Sequence, residues 1–300
     1  MMSVPPAAWL DLDDAAFSKY YDRVPFGFSH NLHRLALFEN ETLRALCERY
    51  AAHPEDYFVS PSASSAGAVF YSVPKTPLKP HEAFDNLTVG SYKILLKRLE
   101  RHHDGFRDLL NTLFAQVKGQ LQRNRFPDGA ERLESSVFIS APRATTPFHF
   151  DPEVNFFSQI EGEKIYHLYE PSVLAEEEVE PLYVRATTDI GQVDLARRDP
   201  SAEHVFRLHP GTGLHQPQDA PHWVETVGSR SISYTFVYET REGRMRSRVR
   251  SFNAYLRRLH FYPAPPGDHP ALDTIKAAAM AAAIPVRRQI GRAVRSTFRP

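Results

Sequence analysis

The chain has 300 residues, of which 42% are hydrophobic, and its 36 basic and 36 acidic residues cancel in net charge. This composition supports a sizeable core and excludes wholesale disorder. The single cysteine, Cys47, excludes an internal disulfide framework and a zinc site built from cysteines, and we expect it to be a small core residue. No apolar run approaches the length of a membrane span, and the N-terminus has no signal-peptide pattern, so a cytoplasmic protein with no membrane partner is expected.

The charge is unevenly distributed along the chain. Residues 241–300 contain thirteen Lys and Arg against three Asp and Glu, a net charge of +10, which leaves −10 for the first 240 residues. A basic segment of this kind can bind nucleic acid or an acidic partner. We favour a solvated helix face that docks on acidic parts of its own chain or of a second copy, because charge runs usually lie on solvated faces.

The N-terminal part of the chain is predicted to form helices and extended segments that pack on the body of the protein. Apolar residues on one face predict a helix capped by Asn40. Residues 68–71 predict a short strand between loops. Apolar residues at helical spacing then predict a long helix or helix pair over 88–124, with His102 and His103 exposed on a charged stretch.

The middle of the chain is rich in strand patterns. Apolar and β-branched runs separated by Pro and Gly turn signals predict strands at about 136–140, 147–151, 155–161, 164–169, 204–208, 213–216, 222–227 and 231–239. Many short strands with such turns predict an antiparallel barrel or jelly roll, so we expect a mainly β fold. Residues 171–200 form a long acidic insertion that either shapes substrate choice or neutralises the basic tail.

Two helices are predicted after the barrel. The first is a basic helix over 243–258, and the second is an Ala-rich helix over 271–294 that is interrupted near Pro285, because proline breaks a helix interior. We therefore expect three parts: a helical and extended region at 1–130, a barrel at 131–240 and basic C-terminal helices at 241–300.

One aromatic strand pattern carries the most informative polar residues. His149 and Asp151 lie two residues apart, and both point to the same side because side chains in a strand alternate between faces. An imidazole and a carboxylate on one face supply two of the three ligands of the facial triad, which holds Fe(II) and leaves positions open for a co-substrate and O₂. The third ligand is expected from a distant strand, and His222 is the best candidate.

Lys164 follows His149 by fifteen residues, after the turn signal Glu161-Gly162, and is predicted to return on the neighbouring strand. There its ammonium can pair with a carboxylate of a bound co-substrate. An isolated His-x-Asp pattern is weak evidence, since two such residues meet by chance in many strands. Its coincidence with Lys164 and with the downstream Pro-His-Trp at His222 favours a metal site.

The residues around this pattern resemble one family along a span of roughly 137–240. The segments that carry the resemblance are Thr146-Pro147-Phe148-His149-Phe150-Asp151, Asn155-Phe156-Phe157, Gln159-Ile160, Gly162, Lys164, Pro210-Gly211 and Pro221-His222-Trp223-Val224-Glu225. They look like the JmjC/cupin-like 2-oxoglutarate oxygenases, and among these the asparaginyl hydroxylase that acts on hypoxia-inducible factor.

The resemblance implies a double-stranded β-helix (a jelly-roll, cupin core) buttressed by N-terminal helices, with C-terminal helices that form a homodimer. It also implies that His149, Asp151 and His222 bind Fe(II), that 2-oxoglutarate is the co-substrate and that O₂ is the oxidant.

The same resemblance assigns the co-substrate pocket. Lys164 and Thr146 are implied to bind the distal carboxylate of 2-oxoglutarate, and Asn155 to line the pocket. Two departures stand out. His215 replaces an aromatic residue of the related hydroxylase and is better interpreted as a structural residue than as a further ligand. The strand 231–239 lacks the family's amide, and its inward register is left open because a slip of one residue exchanges its two faces.

The predicted function is hydroxylation of a protein or peptide side chain, with succinate and CO₂ as co-products. Alternatives within the family are hydroxylation of a small molecule or of an RNA base, for which the basic tail would supply electrostatic binding. The contrasting class is a non-catalytic metal-binding cupin that serves as a scaffold or sensor. A pure metal binder has no need of a buried lysine, so Lys164 argues against that class.

Overall fold

The computed structural model describes residues 9–63, 65–69, 76–127, 129–184 and 191–297. The chain divides into two compact units. The first comprises Met1–Pro171 and Gln192–Thr240, and the second comprises Ser172–Gly191 and Arg241–Pro300. The division into three parts at residues 130 and 240 stays a prediction. None of the helices in the described part is long and apolar enough to cross a membrane.

Ten described strands of the first unit form one antiparallel sheet with the order β1-β2-β9-β7-β10-β5-β4-β3, to which β6 is added on β10 and β8 on β7. The strands are β1 (Leu10–Asp11), β2 (Phe26–His30), β3 (Tyr57–Pro61), β4 (Tyr92–Lys97), β5 (Ala130–Ser140), β6 (Thr145–His149), β7 (Val154–Leu168), β8 (His204–Leu208), β9 (Thr212–Gln216) and β10 (His222–Thr240). This architecture confirms the mainly β jelly-roll prediction.

The long strands β7 and β10 connect two layers of the jelly roll. The first half of β10 pairs with β6 and with the second half of β7, whereas its second half pairs with β5 and with the first half of β7. The register between them shifts where Val227–Ile232 face Glu161–Glu163, and there Gly162 has a φ of +68°. Irregularities of this kind bend a strand and increase its twist. The prediction of a turn at Glu161-Gly162 that returns Lys164 on a neighbouring strand is therefore wrong, since Lys164 lies further along the same strand.

The described helices of the first unit precede most of the sheet in the chain. They are α1 (Asp14–Tyr20), α2 (Asn40–Tyr50), α3 (Pro80–Asp85), α4 (Leu87–Gly90), α5 (Leu99–His102) and α6 (Asp104–Arg123), with 3-10 turns at Leu32–Arg34, Ala36–Phe38, Leu195–Arg197 and Pro200–Ala202. Asn40 is the first residue of helix α2, so the N-cap position belongs to Glu39, whose side chain makes no capping hydrogen bond. The predicted cap at Asn40 is therefore wrong.

The apolar faces of α2 and α6 and one face of the sheet form the main core. Phe106 of α6 stacks on Tyr234 of β10, and Phe156 of β7 stacks on Phe236. Phe157 lies in a second, smaller cluster with Tyr166 and other residues, because neighbouring residues of a strand point to opposite faces. The helices thus buttress one face of the sheet and leave the other face to the interior of the jelly roll.

The predicted helix over 88–124 is correct only in its second half. Tyr92–Lys97 is strand β4, which pairs with both β3 and β5. Its apolar residues satisfy both periods: 92, 95, 96 and 99 fit a helix face, whereas Ile94 and Leu96, which are buried in the main core, follow strand alternation. The segment forms a strand because it can pair with β3 on one side and with β5 on the other.

The prediction that His102 is exposed is wrong. Its side chain is 9% exposed, and its Nε2 lies 2.7 Å from a carboxylate oxygen of Asp56. His103 caps α6, because its side chain accepts a hydrogen bond from the Gly105 amide. The predicted strand at 68–71 lies partly outside the described residues, and 68–69 are not in a strand. Helical backbone continues through Pro285, so the predicted interruption there is wrong.

The second unit contains α7 (Glu176–Val184), α8 (Arg241–Arg258) and α9 (Pro270–Thr297), after a 3-10 turn at Pro171–Val173. Acidic residues of α7 pair with arginines of α8: Arg250 forms two hydrogen bonds of 2.8 and 2.9 Å with Glu176, and Arg257 pairs with Glu177 and with the fully buried Glu180. Within this unit, acidic residues of the insertion therefore neutralise two arginines of the basic tail.

Candidate metal centre

The two candidate histidines are brought together by strand pairing. His222 begins β10 and lies opposite His149, the last residue of β6. Their ring centroids are 4.2 Å apart, and the side chains are 6% and 3% exposed for His149 and His222. Tyr166 of β7 stacks on the His222 ring at 5.1 Å. Two residues far apart in sequence thus share one buried position at the end of two neighbouring strands.

Each imidazole is oriented by its own backbone. Nδ1 of His149 lies 2.6 Å from the Pro147 carbonyl oxygen, and Nδ1 of His222 lies 3.1 Å from that of Ala220. A carbonyl can only accept, so each Nδ1 must donate, and Nε2 is the basic nitrogen in both rings. Such second contacts set the tautomer and ring orientation of histidines that bind metals.

Asp151 completes the group. Its carboxylate oxygens lie 3.9 Å from Nε2 of His149 and 3.7 Å from Nε2 of His222. One ligand atom from each of the three residues lies within 4.8 Å of the others, and this is the metal-capable cluster among the described residues. The Asp151 side chain is 24% exposed, so the cluster is open on one side. The predicted His-x-Asp and distant His therefore meet as two imidazoles and one carboxylate.

Burial favours the neutral form of both imidazoles, which is the form that binds a metal. Burial lowers the pKa of His149, and the charge of Asp151 partly offsets this effect. Burial, and after it the charge of the neighbouring His149, lower the pKa of His222 to about 3.

Lys164 lies on the same face of the jelly roll as the cluster. It pairs with Thr226, which is four residues from His222 in β10, and it lies two residues from Tyr166 in β7. Its ammonium lies over the rings of Phe138 and Phe157, 5.5 and 5.4 Å from their centroids, and the residue is 4% exposed. Within the described residues Nζ has no hydrogen bond or ion pair. Burial, and after it the charge of Lys93, lower the pKa of Lys164 to about 7.

Thr146 and Asn155 also lie on this inner face. Thr146 pairs with Val224 while His149 pairs with His222, so a register shift in β6 puts Thr146 on the side of His149. Asn155 is buried, shares a face with Phe157 and accepts a hydrogen bond from the Thr235 hydroxyl.

The register of the last strand is resolved. Ser231 and Ser233 bond the buried Gln159 at 2.8 Å each, on the face of Thr235 and Asn155, whereas Tyr234 and Phe236 point into the main core. Small hydroxyl side chains therefore line the interior of the jelly roll.

His215 is a structural residue, as the sequence indicated. Its Nε2 accepts a hydrogen bond from the Asp22 amide at 3.0 Å, and its ring packs on Tyr21, Phe26 and Phe156. Burial lowers its pKa to about 3.

Lys93 is the functional candidate that sequence reasoning missed. It lies on β4, and its Nζ donates to the Thr145 carbonyl at 2.8 Å, so it reaches the strand that carries Thr146 and His149. Burial lowers its pKa to about 8. The sequence carries only an ambiguous signal for it, because the apolar residues of 92–97 fit strand alternation and a helix face alike.

Comparisons with known proteins agree with this architecture. The family model described as "Cupin-like domain" matches residues 69–243. A crystal structure of the Escherichia coli ribosomal oxygenase YcfD has a TM-score of 0.52 at 17% identity, covering 92% of this chain and 67% of that chain. The structure of YcfD in complex with cobalt and 2-oxoglutarate has a TM-score of 0.49 at 18% identity, covering 92% and 67%.

No curated protein sequence matches the chain. At 17% identity the likeness to YcfD shows a shared fold. The family match is different in kind, because it extends over more than half of the chain and includes the whole His149, Asp151 and His222 cluster. The chain belongs to the family of cupin-like domains.

Proposed function

We propose that the protein is an Fe(II)- and 2-oxoglutarate-dependent oxygenase. The observation that carries the proposal is the combination of a two-histidine, one-carboxylate cluster with a buried lysine on the same face, whose ammonium has no acidic partner among the described residues. A metal binder needs only the first feature. A buried cation without an anion indicates a site for an acidic ligand, because an unpaired buried charge is costly.

The donor set fits the proposed metal. Two neutral imidazole nitrogens and one carboxylate on one side are the ligands of the facial triad of non-haem iron. His149, Asp151 and His222 would hold the ion, and the backbone carbonyls of Pro147 and Ala220 keep both Nε2 atoms turned towards it. When bound, iron and 2-oxoglutarate together activate O₂ for the hydroxylation of a C–H bond, with succinate and CO₂ as co-products.

The chain's own residues bind and orient the co-substrate in this proposal. The Lys164 ammonium pairs with the distal carboxylate, and the Thr146 hydroxyl donates to it. Asn155 lines the pocket on the same inner face. Phe138 and Phe157 exclude water around the lysine, which strengthens its attraction for a carboxylate.

For the prime substrate we propose a protein or peptide side chain. Support comes from the fold that the chain shares with a protein described as a ribosomal oxygenase. Hydroxylation of a small molecule or an RNA base is the alternative. A peptide library with hydroxylation detected by mass spectrometry distinguishes them, because only the first predicts an added oxygen on a peptide.

The reaction type is tested by succinate formation. Protein loaded with Fe(II) under nitrogen is mixed with 2-oxoglutarate and then exposed to air. We expect slow formation of succinate that is lost in His149→Ala. His204→Ala, at a half-exposed histidine of β8, is the matched control and should retain it.

If no succinate forms, binding of 2-oxoglutarate to the iron-loaded protein decides whether the oxygenase proposal stands. If 2-oxoglutarate neither produces succinate nor changes the absorption spectrum of the iron-loaded protein, the oxygenase proposal is wrong and a non-catalytic metal-binding cupin takes its place.

A further inference from the structure

The inner face near the candidate metal centre carries a second lysine. Lys93 lies opposite Ser140 of β5, and Leu95 lies opposite Phe138. Residues that face each other across two strands, and residues two apart in one strand, share a face. Lys93 is therefore on the side of Phe138, whose ring lies under the Lys164 ammonium. Ile94, its neighbour in the chain, is buried in the main core on the other side.

The Lys93 side chain crosses from one layer of the jelly roll to the other. It begins on β4, and its Nζ donates to the carbonyl of Thr145 on β6 at 2.8 Å. The next residue of β6 is Thr146, and the same strand ends at His149. The Lys93 ammonium thus lies beside the strand that presents both a candidate metal ligand and a candidate co-substrate residue.

The electrostatic environment supports this placement. The charge of Lys93 adds to burial in lowering the pKa of Lys164, and it also contributes to the lowered pKa of His149. Lys93 itself makes no ion pair within the described part of the chain, where its hydrogen-bond partner is a neutral carbonyl. Two ammonium groups therefore share the inner face, and burial of like charges is unfavourable without an anion.

We propose that Lys93 is a second cation of the co-substrate pocket and makes the pocket selective for dicarboxylate 2-oxo acids. The inference rests on the proposed oxygenase function. His149, Asp151 and His222 would hold the metal that binds the oxo-acid end of the ligand, and Lys164 and Lys93 would both attract its distal carboxylate. A monocarboxylate of the same length offers neither ammonium group a partner.

The substitution Lys93→Gln separates charge from structure. A glutamine amide still offers a donor for the Thr145 carbonyl but carries no charge. Lys93→Arg keeps the charge and is expected to restore part of the binding. Lys97→Gln, four residues along the same strand and on the same face, is the matched control, since it pairs with Ser136 at the far end of β4.

The experiment measures binding by calorimetry to the full chain loaded with Mn(II) under nitrogen, so that no turnover occurs. The probes are 2-oxoglutarate and 2-oxopentanoate, which has the same oxo-acid end and a methyl group in place of the distal carboxylate. We expect Lys93→Gln to weaken 2-oxoglutarate by about tenfold or more, the effect of losing one interaction with a charged group. Binding of 2-oxopentanoate should change by less than about twofold, and the thermal midpoint of the ligand-free protein should match that of Lys97→Gln.

Three results would overturn the inference, each in a different way. If Lys93→Gln binds 2-oxoglutarate as the unsubstituted protein does, Lys93 is not part of the pocket. If both ligands weaken equally, its role is structural. If the unsubstituted protein binds 2-oxoglutarate no better than 2-oxopentanoate, or not at all, the proposed function itself fails and the inference falls with it.

Discussion

At the scale of single residues, the candidate site separates two electrostatic tasks. Burial favours the neutral form of the His149 and His222 imidazoles, and backbone carbonyls orient them, as binding of a metal cation requires. In the proposed oxygenase Lys164 serves an anion, because no acid in the described residues neutralises its ammonium, which lies over two aromatic rings. A dicarboxylate 2-oxo acid chelating a metal matches both tasks.

If Lys164 binds the co-substrate as proposed, its lowered pKa makes that binding depend on pH. In the ligand-free protein this pKa is about 7, mainly because of burial, and a bound carboxylate raises it. Above pH 7, binding must therefore take up a proton, and the affinity for 2-oxoglutarate should fall as the pH rises. Below pH 7, where the amine is already charged, Lys164 adds no pH dependence. Calorimetry at pH 8 in buffers of different ionisation enthalpy measures this proton uptake.

Lys164→Arg is the control for this prediction, because a guanidinium stays charged throughout this range. Any 2-oxoglutarate that this variant binds should bind with less proton uptake. Equal proton uptake by the variant and the unsubstituted protein would assign the pH dependence to another group.

At the scale of secondary-structure elements, the geometry of the site depends on how β7 and β10 bend. Both strands contribute to two layers, and the register between them shifts at Gly162. A Cβ atom at Gly162 would lie 2.2 Å from the Arg230 carbonyl oxygen, whereas at Gly228, across the same irregular region, it would meet nothing within 4 Å. Both glycines have positive φ values, +68° and +71°, so they form a matched pair.

Gly162→Ala is expected to destabilise the first unit much more than Gly228→Ala. A positive φ costs alanine about 1–2 kcal/mol at either position. Only Gly162→Ala adds a clash with backbone, worth roughly a further 1–3 kcal/mol. Urea unfolding followed by tryptophan fluorescence measures the difference, since both tryptophans, Trp9 and Trp223, belong to this unit. Equal losses would mean that the strands shift to relieve the contact.

At the scale of the whole molecule, the sequence predicts the chemistry of the site better than its surroundings. Strand alternation places His149 and Asp151 on one face, because this periodicity is a local property, whereas His222 was selected by its Pro-His-Trp setting and by the family resemblance. Lys93 could not be found in this way, since the apolar residues of 92–97 also fit a helix and only pairing with β3 and β5 selects the strand. The bend of β7 at Gly162 was predicted as a turn for a similar reason. A glycine with positive φ occurs in turns and in bulges alike, so the residue type does not distinguish them.

Buried histidines of the first unit are expected to make its stability fall with acidification. Burial lowers the pKa of His215 to about 3 and that of His30 to about 4, below the ordinary value of 6.5. The unfolded chain therefore binds more protons than the folded chain as the pH falls below 6.5. The contribution of each neutral histidine to stability is complete above this pH and is lost progressively towards its folded pKa, by up to about 1.4 kcal/mol per pH unit.

His215→Phe isolates one such contribution. Phenylalanine keeps the aromatic packing against Tyr21, Phe26 and Phe156 but removes the acceptor of the Asp22 amide, so we expect a loss of about 1 kcal/mol at pH 8. At pH 4.5 the variant avoids the cost of keeping this imidazole neutral, and the difference should shrink or reverse. Urea unfolding of chelator-treated protein at both pH values, followed by tryptophan fluorescence, measures whether the stability difference between the two proteins shrinks or reverses. A constant difference would show that His215 is protonated in the folded state and that its burial does not oppose the charge.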